Sequence, residues 1–373
     1  MLSPEVLIRA YRRIQSRRVK ALAVNTLRYL GLRHLVIRMD TINLCNLRCR
    51  MCYYSSDYDR KKDEMDLPFF RRIADQVFPK TRFLYLSCAT EPLMNKHFAH
   101  IVRATGEYRV PFTSFCTNGQ LLQEEVVQAC MEAKISEIIF SIDGATAETY
   151  EYIRRGGKWD RLVAKLDLLA SMKQRASARY PMARINFTCM RRNIHELPAM
   201  VHFAADHGIL SLHVRHLLAY DDPENSCRDE MTYLKNFNSI AAETRKEAAS
   251  RGVELSLPDP VPGSGPITGK TCLTDGSLRG AEANPYCLLP WFQAIISWNG
   301  EYRVCSTHRL GSLRDQTFDE IYNSPKMRAI RRKMLWPNAD SCSWACHEEA
   351  YDVPEVDEAS SELISIAPSA DAS

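Results

Sequence analysis

Between residues 34 and about 257, short apolar runs alternate with helical stretches six times over. Strands read at 34–40, 82–87, 110–116, 136–142, 183–190 and 210–218. Helices read near 66–78, 97–107, 120–133, 146–154 with 158–178, 194–207 and 229–250. Strand–helix repeats of this kind build a parallel sheet through right-handed crossovers. The expected fold is therefore α/β, a partial (β/α)6 parallel barrel. In such folds chemistry gathers at the C-terminal ends of the strands.

Directly after the first strand comes Cys45-Asn46-Leu47-Arg48-Cys49-Arg50-Met51-Cys52-Tyr53, three thiols at C-x3-C-x2-C spacing on one short loop. Tetrahedral zinc asks for four protein ligands, and a [4Fe–4S] cube with four thiolates is coordinatively complete. Three thiolates leave one iron of a cube open to a small chelating molecule. A zinc loop, or three unrelated buried thiols, is the competing reading. The whole chain holds thirteen cysteines in 373 residues, with no secretory signal peptide and no run of transmembrane length. That usage fits a reduced cytoplasm and metal ligation, not a disulfide frame. A net charge of +4 is too small to argue for nucleic acid. The length suits one large domain and a smaller one.

Residues 3–32 carry apolar positions at mostly helical spacing, crowded with Arg9, Arg12, Arg13, Arg17, Arg18 and Lys20. The expectation for this N-terminal extension (1–33) is a helix closing the bottom of the main domain, its arginines in water. Contact with a membrane face or an acidic partner is the alternative. Residues 34–257 form the barrel, Pro258–Gly269 reads as a linker opening a C-terminal module over 258–350, and 351–373 reads as a disordered acidic tail.

The remaining strand ends carry further motifs. Strand two runs into Ser87-Cys88-Ala89-Thr90-Glu91-Pro92, where a fixed-φ proline can hold carbonyls toward a cation and Glu91 adds charge. Strand three ends in Thr117-Asn118-Gly119 and strand four in Ser141-Ile142-Asp143-Gly144, followed by a helical stretch reaching Arg154. With the cysteine loop, these stretches resemble the radical SAM enzymes, in the subgroup with a SPASM or Twitch C-terminal domain. The resemblance covers about 34–348. It implies that Cys45, Cys49 and Cys52 hold a [4Fe–4S] cluster whose open iron binds the amino and carboxylate groups of S-adenosylmethionine (SAM). One electron then cleaves SAM to methionine and a 5′-deoxyadenosyl radical.

The same resemblance places Glu91 and Pro92 at the methionine ammonium, although Cys88, Ala89 and Thr90 stand where the family has glycines. Tyr53 is expected against the adenine, or else in the core. Asn118 shapes the pocket, or only a turn. Ser141 and Asp143 can offer oxygens to the ribose. Arg154 can pair with the methionine carboxylate as a bidentate donor, or be a solvated surface charge. On strand six, alternation puts His213 and Arg215 on one face and His216 on the other, with Arg215 expected toward the pocket.

Beyond the linker, Cys287, Gly300 and Cys305 fit a C-x(9–15)-G-x4-C pattern, followed by Cys342-Ser343-Trp344-Ala345-Cys346. The pattern resembles the SPASM/Twitch module, and Cys287, Cys305, Cys342 and Cys346 are the expected ligands of one auxiliary [4Fe–4S] cluster. Structural zinc is the alternative. The closing C-x3-C departs from the family's C-x2-C. Cys272 is a fifth ligand, a catalytic hydrogen-atom donor or an idle thiol. Peptide-modifying relatives often carry an N-terminal recognition domain, for which 33 residues are too few. The expectation is an oxidoreductase or epimerase acting on a small sugar- or cyclitol-like substrate, fed electrons by a flavodoxin- or ferredoxin-like donor. Peptide modification is the runner-up, and a non-catalytic iron–sulfur carrier or zinc-stapled binding protein is the reading from another class.

Overall fold

The computed structural model describes residues 17–56, 61–87, 89–217, 231–258, 289–305 and 308–335, with the backbone alone at 17–21, 53, 56, 231–236 and 335. Helix α1 (Arg17–Tyr29) leads into β1 (Leu35–Met39). The barrel then follows as α2 (Leu67–Val77), β2 (Thr81–Leu86), α3 (Phe98–Gly106), β3 (Phe112–Thr117), α4 (Glu124–Glu132) and β4 (Glu137–Ser141). It continues through α5 (Ala147–Ile153), α6 (Trp159–Arg175), β5 (Met182–Cys189), α7 (Leu197–Asp206), β6 (Ser211–His216), α8 (Met231–Arg251) and β7 (Glu254–Ser256). The C-terminal part holds α9 (Leu289–Phe292), β8 (Gln293–Ile296), β9 (Glu301–Arg303), β10 (Arg309–Ser312), α10 (Phe318–Tyr322) and α11 (Pro325–Leu335).

These strands form one ten-stranded sheet in the order β10-β9-β8-β1-β2-β3-β4-β5-β6-β7. Neighbours from β8 through β1 to β7 are parallel, and only the β8–β9 and β9–β10 pairs are antiparallel. The sheet does not close on itself among the described residues. It is a mostly parallel α/β sheet of the expected kind.

Strand alternation gives the sheet two different faces. Leu35, Ile37 and Met39 on β1, Leu84 and Leu86 on β2, Ile138 and Phe140 on β4, and Ile185 and Phe187 on β5 are buried in one apolar core. The helices supply the other half of that core. In α2, Phe69, Phe70, Ile73, Ala74 and Val77 form a buried stripe, and Asp66 caps the helix by accepting from Phe69 N at 2.8 Å. The opposite face carries Arg38, Tyr85, Cys116, Ser141, Asn186, Thr188, His213 and Arg215 at the alternating positions. The strands thus turn apolar residues toward the helices, while the inward face mixes these polar residues with Val36, Phe83, Phe112 and Ile139.

Two helices start later than their periodicity predicts. Gln120–Gln123 form a turn after Gly119 instead of the first turn of α4, because the Gln120 side chain bridges the Tyr150 hydroxyl, Lys158 O and Lys158 N. The stretch from Ile194 opens as a 3-10 turn before α7, which has Pro198 in its first turn. The C-terminal strands were not foreseen as part of the main sheet. β8 lies along β1, pairing Val36 with Gln293 through Met39 with Ile296, so the C-terminal part continues the barrel sheet on its β1 side. At the β8–β9 turn, Gly300 has φ +85° and a Cβ there would come within 2.6 Å of the Phe69 ring. Only glycine fits that turn without strain, which explains its place in the C-x(9–15)-G-x4-C pattern. Residues 1–16, the linker beyond Pro258 and the acidic tail lie outside the described residues.

Candidate functional site

The cysteine loop leaves β1 at the C-terminal edge of the sheet and is tied to the ends of two neighbouring strands and one helix. Thr90 Oγ1 donates to Ile42 O at 2.8 Å, and Glu91 N donates to Leu44 O at 3.0 Å. Asn118, after β3, donates through Nδ2 to Asn46 Oδ1 at 2.8 Å and to Cys45 Sγ at 3.9 Å. From the end of α5, Ile153 O and Arg155 O accept from Arg50 N at 3.0 Å and Arg48 N at 2.9 Å. Leu47 is buried beneath the loop. Loop conformation is thus set by partners far away in sequence.

Glu91 is the buried knot of this arrangement. Its Oε1 accepts from Thr117 Oγ1 at 2.7 Å and from Leu93 N at 3.2 Å, and its Oε2 accepts from Asn118 N at 2.7 Å. Burial pushes its carboxyl up to about 7, against the three donors that favour the charged form. With both oxygens engaged, Glu91 joins the ends of β2 and β3 to the cysteine loop. Pro92 follows, buried, at the start of a 3-10 turn.

A second buried network centres on Asp143 and Arg154. Asp143 is fully buried; its Oδ1 accepts from Thr188 N at 2.6 Å, and its Oδ2 pairs with Arg154 Nη2 at 2.6 Å. Arg154 Nη1 donates to Cys49 Sγ at 3.7 Å, and the buried Arg154 Nε has no hydrogen-bond partner. Burial works against the guanidinium's charge, but Asp143 and Cys49 outweigh it and hold Arg154 charged. The Arg154 backbone is held by α5, whose N-cap Thr146 accepts from Thr149 N and whose first turn is braced by Glu196. Glu196 Oε2 also accepts from Ala145 N at 2.6 Å. Glu196 and Gln120 are the site-shaping residues that sequence reading missed. A carboxylate 50 residues from the helix it braces leaves no local signal in the sequence.

Ser141 ends β4 with its hydroxyl 3.1 Å from the Cys116 thiol. Tyr53 opens a 3-10 turn after the third cysteine. His213 and Arg215 share the inner face of β6, while His216 is buried on the other side against Phe237. Of the expected auxiliary ligands only Cys305, buried just past β9, is described. Cys272, Cys287, Cys342 and Cys346 lie outside the described residues.

Cys45, Cys49 and Cys52 are all free thiols. Burial pushes Cys45 up to about 12, with Glu91, Cys49 and Cys52 adding to the rise, and burial also raises Cys49. Such thiols ionise when a metal centre takes them, with release of protons. Among the described residues no group of three or more His, Cys, Asp or Glu is gathered as around one metal ion. Cys49 and Cys52 are near enough to Cys45 to add to the rise of its thiol. In a cube each thiolate holds a different iron, so three thiols on one loop suit three of its corners. The unpartnered Arg154 Nε–H close by is the donor that a carboxylate would take. The residues present fit a three-thiolate cluster with a charged chelating ligand beside it.

The radical SAM superfamily matches residues 39–203, and the SPASM iron–sulfur cluster-binding domain matches residues 287–347. The chain is a radical SAM protein. Its cofactors are accordingly a [4Fe–4S] cluster, SAM and auxiliary iron–sulfur centres in the SPASM region. It is similar to the tungsten-containing aldehyde ferredoxin oxidoreductase cofactor-modifying protein of Pyrococcus furiosus, 23% identical over 82% of this chain and 86% of the relative. It is also similar to the AdoMet-dependent heme synthase of Methanosarcina barkeri, 25% identical over 77% of this chain and 82% of the relative. In fold it resembles Streptococcus suis SuiB, crystallised with S-adenosylmethionine, with a TM-score of 0.60 and 15% identity over 82% of this chain and 70% of SuiB. No described helix is long and apolar enough to cross a membrane.

Proposed function

We propose that this radical SAM enzyme acts on a small polar substrate held in the barrel, oxidising or epimerising it. The observation that carries this reading is the chemistry of the inner wall formed by β5 and β6. Asn186 lies beside His213 and Thr188 beside Arg215 in the parallel register, all four on the inward face. Arg184 Nη1 lies 3.3 Å from His213 Nδ1, and Arg184 Nη2 pairs with Glu137 at 3.1 Å. A guanidinium can only donate, so Nδ1 accepts and the imidazole proton sits on Nε2. Burial, with Arg184 and Arg215, pushes His213 down to about 3. His213 is therefore a fixed hydrogen-bond donor at neutral pH and not a base. A wall that offers the His213 Nε2–H beside an amide and a hydroxyl able to donate or accept suits a small polar substrate.

On the cofactor side, Cys45, Cys49 and Cys52 would hold the cluster, and Arg154 Nε and Asn118 would meet SAM. Tyr53, Pro92, Ser141 and Asp143 frame the same rim. When bound, the cluster and SAM supply a 5′-deoxyadenosyl radical able to take a hydrogen atom from an unactivated C–H bond. The chain's task is to position that bond and keep water out. Cys272 is the proposed hydrogen donor for epimerisation, Cys287, Cys305, Cys342 and Cys346 the auxiliary ligands, and a flavodoxin- or ferredoxin-like protein the electron donor. Peptide modification is the second reading, favoured by the fold likeness to SuiB, which has been crystallised with its precursor peptide SuiA. Deuterium transfer into 5′-deoxyadenosine, from labelled sugars and cyclitols against labelled peptides, separates the two. Transfer from peptides alone would retire the small-substrate reading.

A further inference from the structure

Arg154 does more in this structure than stand ready for a ligand. Its guanidinium is divided among three tasks: Nη2 pairs with the buried Asp143 at 2.6 Å, Nη1 donates to Cys49 Sγ at 3.7 Å, and Nε has no partner. Asp143 is itself immobilised, because Thr188 N donates to its side chain at 2.6 Å and Asn193 Nδ2 donates to its backbone oxygen at 2.9 Å. Asn193 also donates to Thr188 O at 2.9 Å, so α7's leading turn, β5 and the end of β4 hold one carboxylate in place. The result is a fixed ionic lever with a cation at its tip against the middle cysteine.

We propose that Arg154 sets the reduction potential of the three-cysteine cluster, and that Asp143 limits how far it does so. The inference rests on the assignment of that cluster to Cys45, Cys49 and Cys52. Reduction adds one electron, taken from a one-electron reductant, to a centre already surrounded by thiolates, with no proton transferred. A buried cation and an N–H donor at Cys49 Sγ stabilise the more negative state and raise the potential. Asp143, at the far side of the same guanidinium, offsets part of that charge.

The two residues should therefore act with opposite signs. The test is an EPR-monitored redox titration of the anaerobically reconstituted full-length enzyme with dithionite. The relevant centre is recognised by the signal that changes when SAM is added. R154Q should shift its midpoint to more negative values, and R154K, which keeps the charge but loses the fork, should shift it less. An R154Q midpoint equal to that of the wild type at equal iron content overturns the proposal. Should R154Q fail to take up iron, D143N decides, because it keeps the guanidinium and removes the opposing charge. A positive shift in D143N supports the proposal, and an unchanged or negative one overturns it. Wild-type protein without any SAM-responsive iron signal refutes the cluster assignment, and this inference with it.

Discussion

At the ends of β1 to β4 the ionic side chains are mutually engaged. Glu91 spends both oxygens on Thr117, Leu93 and Asn118, and Asp143 spends its own on Thr188 and Arg154. The inner wall of β5 and β6 is built differently. There Asn186, Thr188 and His213 are only partly buried and Arg215 is exposed, with donors turned toward the interior. The first region is a frame made rigid by buried hydrogen bonds, each expensive to leave unmade. The second is a more open polar surface, in which His213 keeps Arg184 as a neighbour. Fixed geometry suits a cofactor that never changes, and an open donor wall suits the part of the site that sets specificity.

The largest contrast should come from cysteine variants on opposite sides of β1. Cys49→Ala should abolish SAM cleavage and lower the iron content. Cys305→Ala, just past β9 and two strands from β1 in the C-terminal part, should lower iron while SAM cleavage continues without product. Cleavage surviving Cys49→Ala would contradict the three-thiolate centre. The frame itself is sharpened by Glu91→Ala. It strands the Asn118 N–H and the Thr117 hydroxyl and should cost about 2–3 kcal/mol of stability by chemical denaturation. A loss within about 0.5 kcal/mol, the range of ordinary surface changes, would mean that Glu91 is not the knot described.

On the wall, Arg215→Gln should raise the substrate KM roughly tenfold, the size of one charge-assisted hydrogen bond, and leave substrate-free SAM cleavage unchanged. Loss of SAM cleavage in that variant would place Arg215 with the frame. The smallest effect concerns acid. His213 and His216 are pushed below the usual histidine value, to about 3 and about 4, chiefly by burial. Their contribution to stability is present above about 6.5, the unfolded value, and is lost as pH falls through the folded values. His216→Phe, which keeps a ring against Phe237, should therefore flatten the fall in melting temperature between pH 6.5 and 4. An unchanged profile would remove His216 from that account.

Much of the frame was legible in the sequence because its signals are local. The cysteine spacing, the Glu-Pro turn and the Ser-Ile-Asp-Gly strand end all sit within a few residues of the elements they serve. The strand–helix alternation located β1 to β6 to within two residues at either end. The rest was hidden because it is made across the chain. Gln120 holds Lys158, and Glu196 braces α5 from the next strand–helix unit. β8 joins the sheet beside β1 after some 250 residues, from a stretch whose periodicity is weak. Arg154 was placed by motif at the site, but its ties to Asp143 and Cys49 follow only from packing. The substrate wall left the weakest trace, since alternating polar residues on one strand show a shared face and not what that face meets.

The most direct measurement is EPR of the anaerobically purified, dithionite-reduced protein before and after adding SAM. A reduced iron–sulfur signal whose shape changes on adding SAM, with 5′-deoxyadenosine formed, is the predicted result. Bound zinc in place of iron, or an iron signal indifferent to SAM, would contradict a cluster held by Cys45, Cys49 and Cys52 with one iron left open.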